Sequence, residues 1–222
     1  MTTANWVRLP VPIPPRRMTY EEFLDWADED LHAEWVDGRV EYTHLVVDPD
    51  TLEISLSVSR AHTMIGSFLI VLLQMWVEAM KAGEMFYAHY QMKTGPDLPG
   101  REPDVMFVTT ANLYRVRDKH LEGSADVVFE IVSEESVTRD RIWKLAEYER
   151  GKVAEYWIID PLKNEVLLYC LGEDSKYELI AGENEAPLHS RVMSGVWFDP
   201  NWFRQPKLPA ATQVLQQWGV LK

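Results

Sequence analysis

Asp126-Val127-Val128-Phe129-Glu130-Ile131-Val132 is apolar at every position except its first and fifth. A run so short and so apolar predicts a strand buried on both faces. An ionised glutamate inside such a strand is costly unless it is ion-paired, hydrogen-bonded or bound to a metal. The alternative is a glutamate on the one polar face of an edge strand. Glu130 is therefore the residue on which the reading of the chain turns.

Elements on either side extend the pattern. Pro103-Asp104 opens a strand over Asp104–Val108. Downstream, Arg139–Arg150 reads as a helix ending at Gly151. Val153–Asp160 and Glu165–Leu171 then read as a hairpin-like pair around Pro161–Asn164. Upstream, Ile65, Phe68, Leu69, Leu72, Leu73, Trp76, Val77 and Met80 recur at three- and four-residue steps. That spacing predicts a helix over His62–Ala82, with Gly83 as its stop. Met85–Met92 alternates like a strand and leads into the turn-rich stretch Thr94–Arg101.

Farther out, Asp37-Gly38 sits between two short strand-forming runs in Glu34–Tyr42, a hairpin signal. Leu45–Val47 and Leu52–Val58 read as strands. Thr19 reads as an N-cap, with Glu21 and Glu22 in the first turn, where negative charge suits the helix dipole. A last helix is expected over about Ala210–Trp218. The sum is an α/β (mixed) fold with a central mixed sheet flanked by helices. It is expected as a single domain over 18–222, preceded by a Pro-rich N-terminal arm over 1–17.

Asp104 and Glu130 suggest a chemistry. Phosphodiester hydrolysis needs neutralised phosphate charge and an activated water, and a divalent metal supplies both. Mg²⁺ prefers carboxylate oxygens, so two or three acids must converge with a cation near the water. Asp140, Lys144 and Tyr148 lie at four-residue steps and so share one face of their helix. The bland reading of Lys144 is a surface lysine paired with Asp140.

The ordered set Glu34-Trp35-Val36-Asp37-Gly38, Pro103-Asp104, Phe129-Glu130-Ile131-Val132-Ser133, Asp140 with Lys144 and Tyr148, and Glu155-Tyr156-Trp157-Ile158-Ile159-Asp160-Pro161 resembles a large bacterial branch of restriction-endonuclease-like proteins in the PD-(D/E)XK nuclease superfamily. The resemblance runs from about Met18 to the end. It implies a restriction-endonuclease-like core and a Mg²⁺- or Mn²⁺-dependent endonuclease acting on DNA, with a possible homodimer. It implies Asp104 and Glu130 as the metal-binding acids and Glu34 as an additional acid. The superfamily's lysine stands two residues after the second acid, where this chain has Val132; Lys144 is the match for the branch's lysine on the following helix. His62 matches a position that is often histidine in the branch, and a capping or surface role is expected for it.

Several residues give weaker signals. His32, His44, His89, His120 and His189 have no ligand spacing, and Ser133-Glu134-Glu135-Ser136 reads as a solvated loop. Trp197, Trp202 and Trp218 suggest packing or a subunit contact. No Gly-rich phosphate loop and no nucleophile-elbow pattern is present.

Composition sets outer limits. The 222 residues, 46% of them hydrophobic, suffice for one good core. Cys170 is the only cysteine, which leaves no intramolecular disulfide or Cys-based zinc site and fits a reducing cytoplasm. The start, Met1–Arg17, lacks the apolar run of a signal peptide. The longest apolar stretch, Phe68–Leu73, falls far short of the roughly 20 residues that span a bilayer, so no membrane partner is expected. A net charge of -13 opposes DNA binding at long range. It favours the rival expectation of a nuclease-fold protein that binds or regulates without cutting.

Overall fold

The computed structural model describes residues 17–27, 31–43, 45–47, 54–56, 58–87, 89–180 and 187–222. The expected arm lies almost wholly outside them, as does part of the expected strand Leu52–Val58. In chain order the elements are α1 (Tyr20–Trp26), β1 (Ala33–Val36), β2 (Arg39–Tyr42), β3 (Leu45–Val47), β4 (Ile54–Leu56), α2 (Arg60–Met80), β5 (Gly83–Tyr87), β6 (Gln91–Lys93), β7 (Gly100–Arg101), β8 (Val105–Thr109), β9 (His120–Glu122), β10 (Val127–Ile131), α3 (Lys144–Gly151), β11 (Glu155–Asp160), β12 (Glu165–Leu171), β13 (Tyr177–Ile180), β14 (Leu188–His189), β15 (Trp197–Phe198) and α4 (Ala211–Gln217).

The run containing Glu130 is a central strand. The main sheet has the order β13-β12-β11-β10-β8-β5. β10 runs parallel to β11 and antiparallel to β8, so the sheet is mixed. Every residue of β10 is buried, and its side chains alternate between two apolar layers. Val127, Phe129 and Ile131 join Trp157, the inner stripe of α2 and Val214–Leu215 of α4. Val128 and Val132 join Met106, Tyr156, Ile158 and Tyr148. Glu130 shares the parity of Val128 and Val132 and therefore points toward α3.

A second sheet, order β2-β1-β7-β6-β9, was not foreseen as a separate layer. Its hairpin β1–β2 turns through Asp37 and Gly38, both at positive φ (49° and 81°), as an Asp-Gly two-residue turn requires. The expected strand Met85–Met92 is divided between the sheets: β5 edges the main one and β6 belongs to the second, with His89 at φ 78° between them. The stretch expected only as turns also contributes β7.

The long helix starts earlier than its stripe, at N-cap Ser59, whose side chain accepts from the His62 N–H. It ends before Gly83: Lys81 takes the left-handed cap at φ 51°. Gly83 instead begins β5 at φ 153°, where an added Cβ would lie 2.0 Å from the Val108 carbonyl oxygen. By length and mean hydropathy (1.6) α2 matches a membrane span, yet its inner stripe is the largest contribution to the core beneath the sheet. Lys152, at φ 62°, likewise caps α3 in place of Gly151. Trp202 and Trp218 pack on Phe198.

Candidate active site

β10 delivers Glu130 and β8 follows Asp104. The β8–β10 register pairs Val105 with Phe129, and one further step sets Asp104 opposite Glu130. Facing residues of an antiparallel pair project to the same side, so the two carboxyls share one face. The Ile131 N–H donates to Asp104 Oδ2 at 2.6 Å and fixes that carboxylate at the strand edge. The pair lines a cavity of about 20 Å³ together with Thr43, His62, Glu102, Ser133 and Ser136, and with Arg139, Asp140 and Lys144 from the helix opposite. That space is about the size of one water or one ion.

Lys144 is the hub. Its ammonium lies 2.8 Å from Glu130 Oε1, 3.1 Å from Glu34 Oε1 and 3.7 Å from Asp140 Oδ1. Tyr148, one turn on, donates its hydroxyl to the same Glu130 oxygen at 2.8 Å. A π-helical turn over Arg139–Trp143 leads into α3 and carries Asp140. Lys144 is 2% exposed, which removes the surface ion-pair reading. The structure thus brings Asp104, Glu130 and Lys144 together with Glu34 beside them. Val132, in the superfamily's lysine position, is buried in the apolar layer on the α3 side.

Electrostatics separates the acids. Burial pushes the Glu130 carboxyl up to about 8; Lys144 opposes this, while Asp104 and Asp140 add to it. Burial also raises Asp140. Burial works against ionised Glu34, but Lys144 and Arg101 outweigh it and hold that carboxyl at about 2. Asp104 is likewise held below its ordinary value, because His62, Lys144 and the Ile131 N–H overcome its burial. The buried Lys144 ammonium is raised by Glu130, Glu34 and Asp140 despite desolvation, and is a fixed cation.

Three residues differ from expectation, and a fourth was not foreseen. His62 is neither a cap nor a surface residue in its side chain: Nε2 lies 3.3 Å from Asp104 Oδ2. The resemblance marked the position as one that could touch the site, but nothing in the sequence fixes which strand end that helix meets. Ser133 and Ser136, expected in a solvated loop, line the cavity, although Glu134 and Glu135 between them are exposed. Arg101 was not singled out at all. Buried, it donates to Glu34 at 2.7 Å and grips Glu147 with two bonds of 2.7 Å. It fell in a turn-rich stretch, where an arginine carries no burial signal.

The family model described as "Uma2: Putative restriction endonuclease" matches residues 20–201. The chain belongs to the Uma2 family. The match spans every residue of the charge cluster, from Glu34 to Tyr148, and places the chain in a nuclease family. A solved structure titled as a putative nuclease belonging to DUF820, from Anabaena variabilis ATCC 29413, is similar to this Uma2 chain with a TM-score of 0.65 at 15% identity. The likeness covers 83% of this chain and 96% of that one, and it shows the fold. No curated protein matches the chain.

Proposed function

We propose that this Uma2 protein is a divalent-metal-dependent endonuclease that hydrolyses DNA phosphodiester bonds at the Asp104–Glu130 cavity. The observation that carries this reading is a buried glutamate whose ionisation is resisted by two neighbouring aspartates, in a space for one ion. The donor set fits Mg²⁺ or Mn²⁺, which take carboxylate oxygens and keep waters for the rest of their shell. Such an ion would neutralise phosphate charge and make a bound water more acidic. Lys144 is too firmly protonated to serve as a base; its role is to hold positive charge against the phosphorane-like transition state. Glu34 and Glu130 orient that ammonium. Arg139, whose Nε is buried without a hydrogen-bond partner among the described residues, is a second cation available to phosphate at the cavity.

A rival reading, nucleic-acid binding without cutting, draws on the net charge of -13 and on Val132 in the usual lysine position. Plasmid nicking decides between them. Wild type is expected to nick supercoiled DNA with Mg²⁺ or Mn²⁺ and not with EDTA, and Asp104→Asn is expected to fall to background while remaining folded. Equal nicking by Asp104→Asn would sink the proposed site; DNA binding without nicking would favour the rival. Cutting both strands calls for two such sites, which a symmetric dimer supplies. Met64, Val71 and Met75, an exposed apolar stripe on α2, offer a candidate face, and light scattering is expected to give twice the 25.8 kDa chain mass.

A further inference from the structure

A second group of ligand-type side chains stands beside the cavity and shares only Glu102 with its lining. His32 precedes β1, His89 occupies the turn between β5 and β6, and Glu102 follows β7. His32 Nδ1 lies 3.2 Å and His89 Nδ1 3.8 Å from the same oxygen, Glu102 Oε1. The two imidazole rings are 4.1 Å apart between centroids. One ligand atom from each of the three residues falls within 4.8 Å of the others.

We propose that His32, His89 and Glu102 bind one divalent transition-metal ion of the Zn²⁺ type. Zinc bonds to imidazole nitrogen at about 2.0–2.1 Å and to carboxylate oxygen at about 2.0–2.2 Å, which sets tetrahedral ligand atoms about 3.3 Å apart. The two histidine–carboxylate separations, 3.2 and 3.8 Å, lie close to that. Two imidazoles with one carboxylate leave a coordination position open, as in zinc sites that hold a water. Glu102 is buried, while His32 is partly and His89 more fully open to solvent, so an ion has a way in.

The surroundings suit an ion. Gln91 Nε2 donates to Glu102 Oε2 at 3.3 Å and to the Ala33 carbonyl at 2.9 Å, and the His89 N–H donates to Glu102 Oε1 at 2.9 Å. These bonds orient the carboxylate, as outer partners do around metal ligands. The remaining Gln91 oxygen, Oε1, is buried with no hydrogen-bond partner among the described residues. His89 holds φ 78°, an uncommon conformation of the kind that persists where surroundings impose it. The Glu102 N–H donates to Glu34 Oε1 at 3.2 Å, so the ion would brace the carboxylate that supports Lys144.

The ion is distinct from the one in the cavity and stands whether or not the protein cuts DNA. The test uses the full chain carrying Asp104→Asn, stripped with chelator and titrated with Zn²⁺ in 5 mM Mg²⁺ (about that level saturates hard-oxygen sites without competing for imidazole). Calorimetry is expected to give one Zn²⁺ per chain. His32→Asn and His89→Asn, the latter tolerant of positive φ, are each expected to weaken it at least about tenfold. X-ray absorption of the Zn²⁺-loaded Asp104→Asn chain is expected to find two imidazoles on the metal, a readout that needs neither histidine variant to fold. No Zn²⁺ uptake, affinity within twofold of the parent in both histidine variants, or fewer than two imidazoles would each overturn the site.

Discussion

Glu34 and Glu130 are both buried, both absent from the surface of the sheet that carries them, and both in contact with the Lys144 ammonium. Yet one is held at about 2 and the other is pushed up to about 8. The difference lies in the rest of their company. Glu34 also receives the Arg101 guanidinium at 2.7 Å and the Glu102 N–H at 3.2 Å. Glu130 has Tyr148 but faces Asp104 and Asp140. Glu34 has more positive charge than it needs and Glu130 has less. On the function proposed above, the metal ion goes with Glu130 and Asp104, and Glu34 supports Lys144.

The largest effect should come from removing a cation on the Glu34 side. Arg101→Met takes the guanidinium from buried Glu34, leaving it Lys144 as contacting cation, and takes both bonds from Glu147; urea unfolding at pH 7 is expected to report a loss of about 3–5 kcal/mol. Glu130→Gln without metal keeps an acceptor for Lys144 and Tyr148 and is expected to cost under about 1 kcal/mol or to stabilise. If these two variants exchanged places, the contrast would be wrong.

Next in size is the response to metal. Saturating Mn²⁺ is expected to stabilise wild type by about 2.7 kcal/mol at a hundredfold excess over its dissociation constant, seen as a rise in Tm. Glu130→Gln should lose most of that rise. Glu34→Gln, each sample compared with and without Mn²⁺, should keep it. A rise abolished by Glu34→Gln and retained by Glu130→Gln would move the ion to the other glutamate.

The smallest effect is the dependence on pH, and its sign differs between the two. Glu130 is raised above its ordinary 4.5, so its contribution is present below that value and is lost as pH climbs toward 8. Glu34 is lowered, so its contribution is present above 4.5 and is lost as pH falls toward 2. In metal-free buffer, wild type should lose at least about 1 kcal/mol relative to Glu130→Gln between pH 5 and pH 8. Relative to Glu34→Gln it should lose stability from pH 5 downward. Parallel curves in both comparisons would show that the two environments are alike.

Much of this architecture could be read from the chain. The α2 stripe and the β10 run announced their partners because burial on one face or two writes a period into the sequence. The position of Glu130 within its run pointed to a cluster for the same reason. Lys144 and Glu34 came from the resemblance, since no period links residues on different elements. The second sheet escaped because β6 and β7 have three and two residues, too few for an alternation to register. Arg101, His62 and the His32–His89–Glu102 group depend on where loops bring strand ends together. His32 and Glu102 are 70 positions apart, a separation that local spacing cannot encode.

The π-helical turn over Arg139–Trp143 has a consequence for how this fold can vary. It accommodates one residue more than an ordinary α-helical turn would. Deleting a single residue there would leave a regular and more favourable helix. Because the wider turn absorbs its extra residue, the chain on either side keeps nearly the register of a regular helix. That deletion would therefore leave Lys144 and Tyr148 close to Glu130 and change which side chains the turn itself carries, Arg139 and Asp140 first among them. One codon gained or lost at this turn would thus retune the charge beside the cavity without moving the residues that grip Glu130.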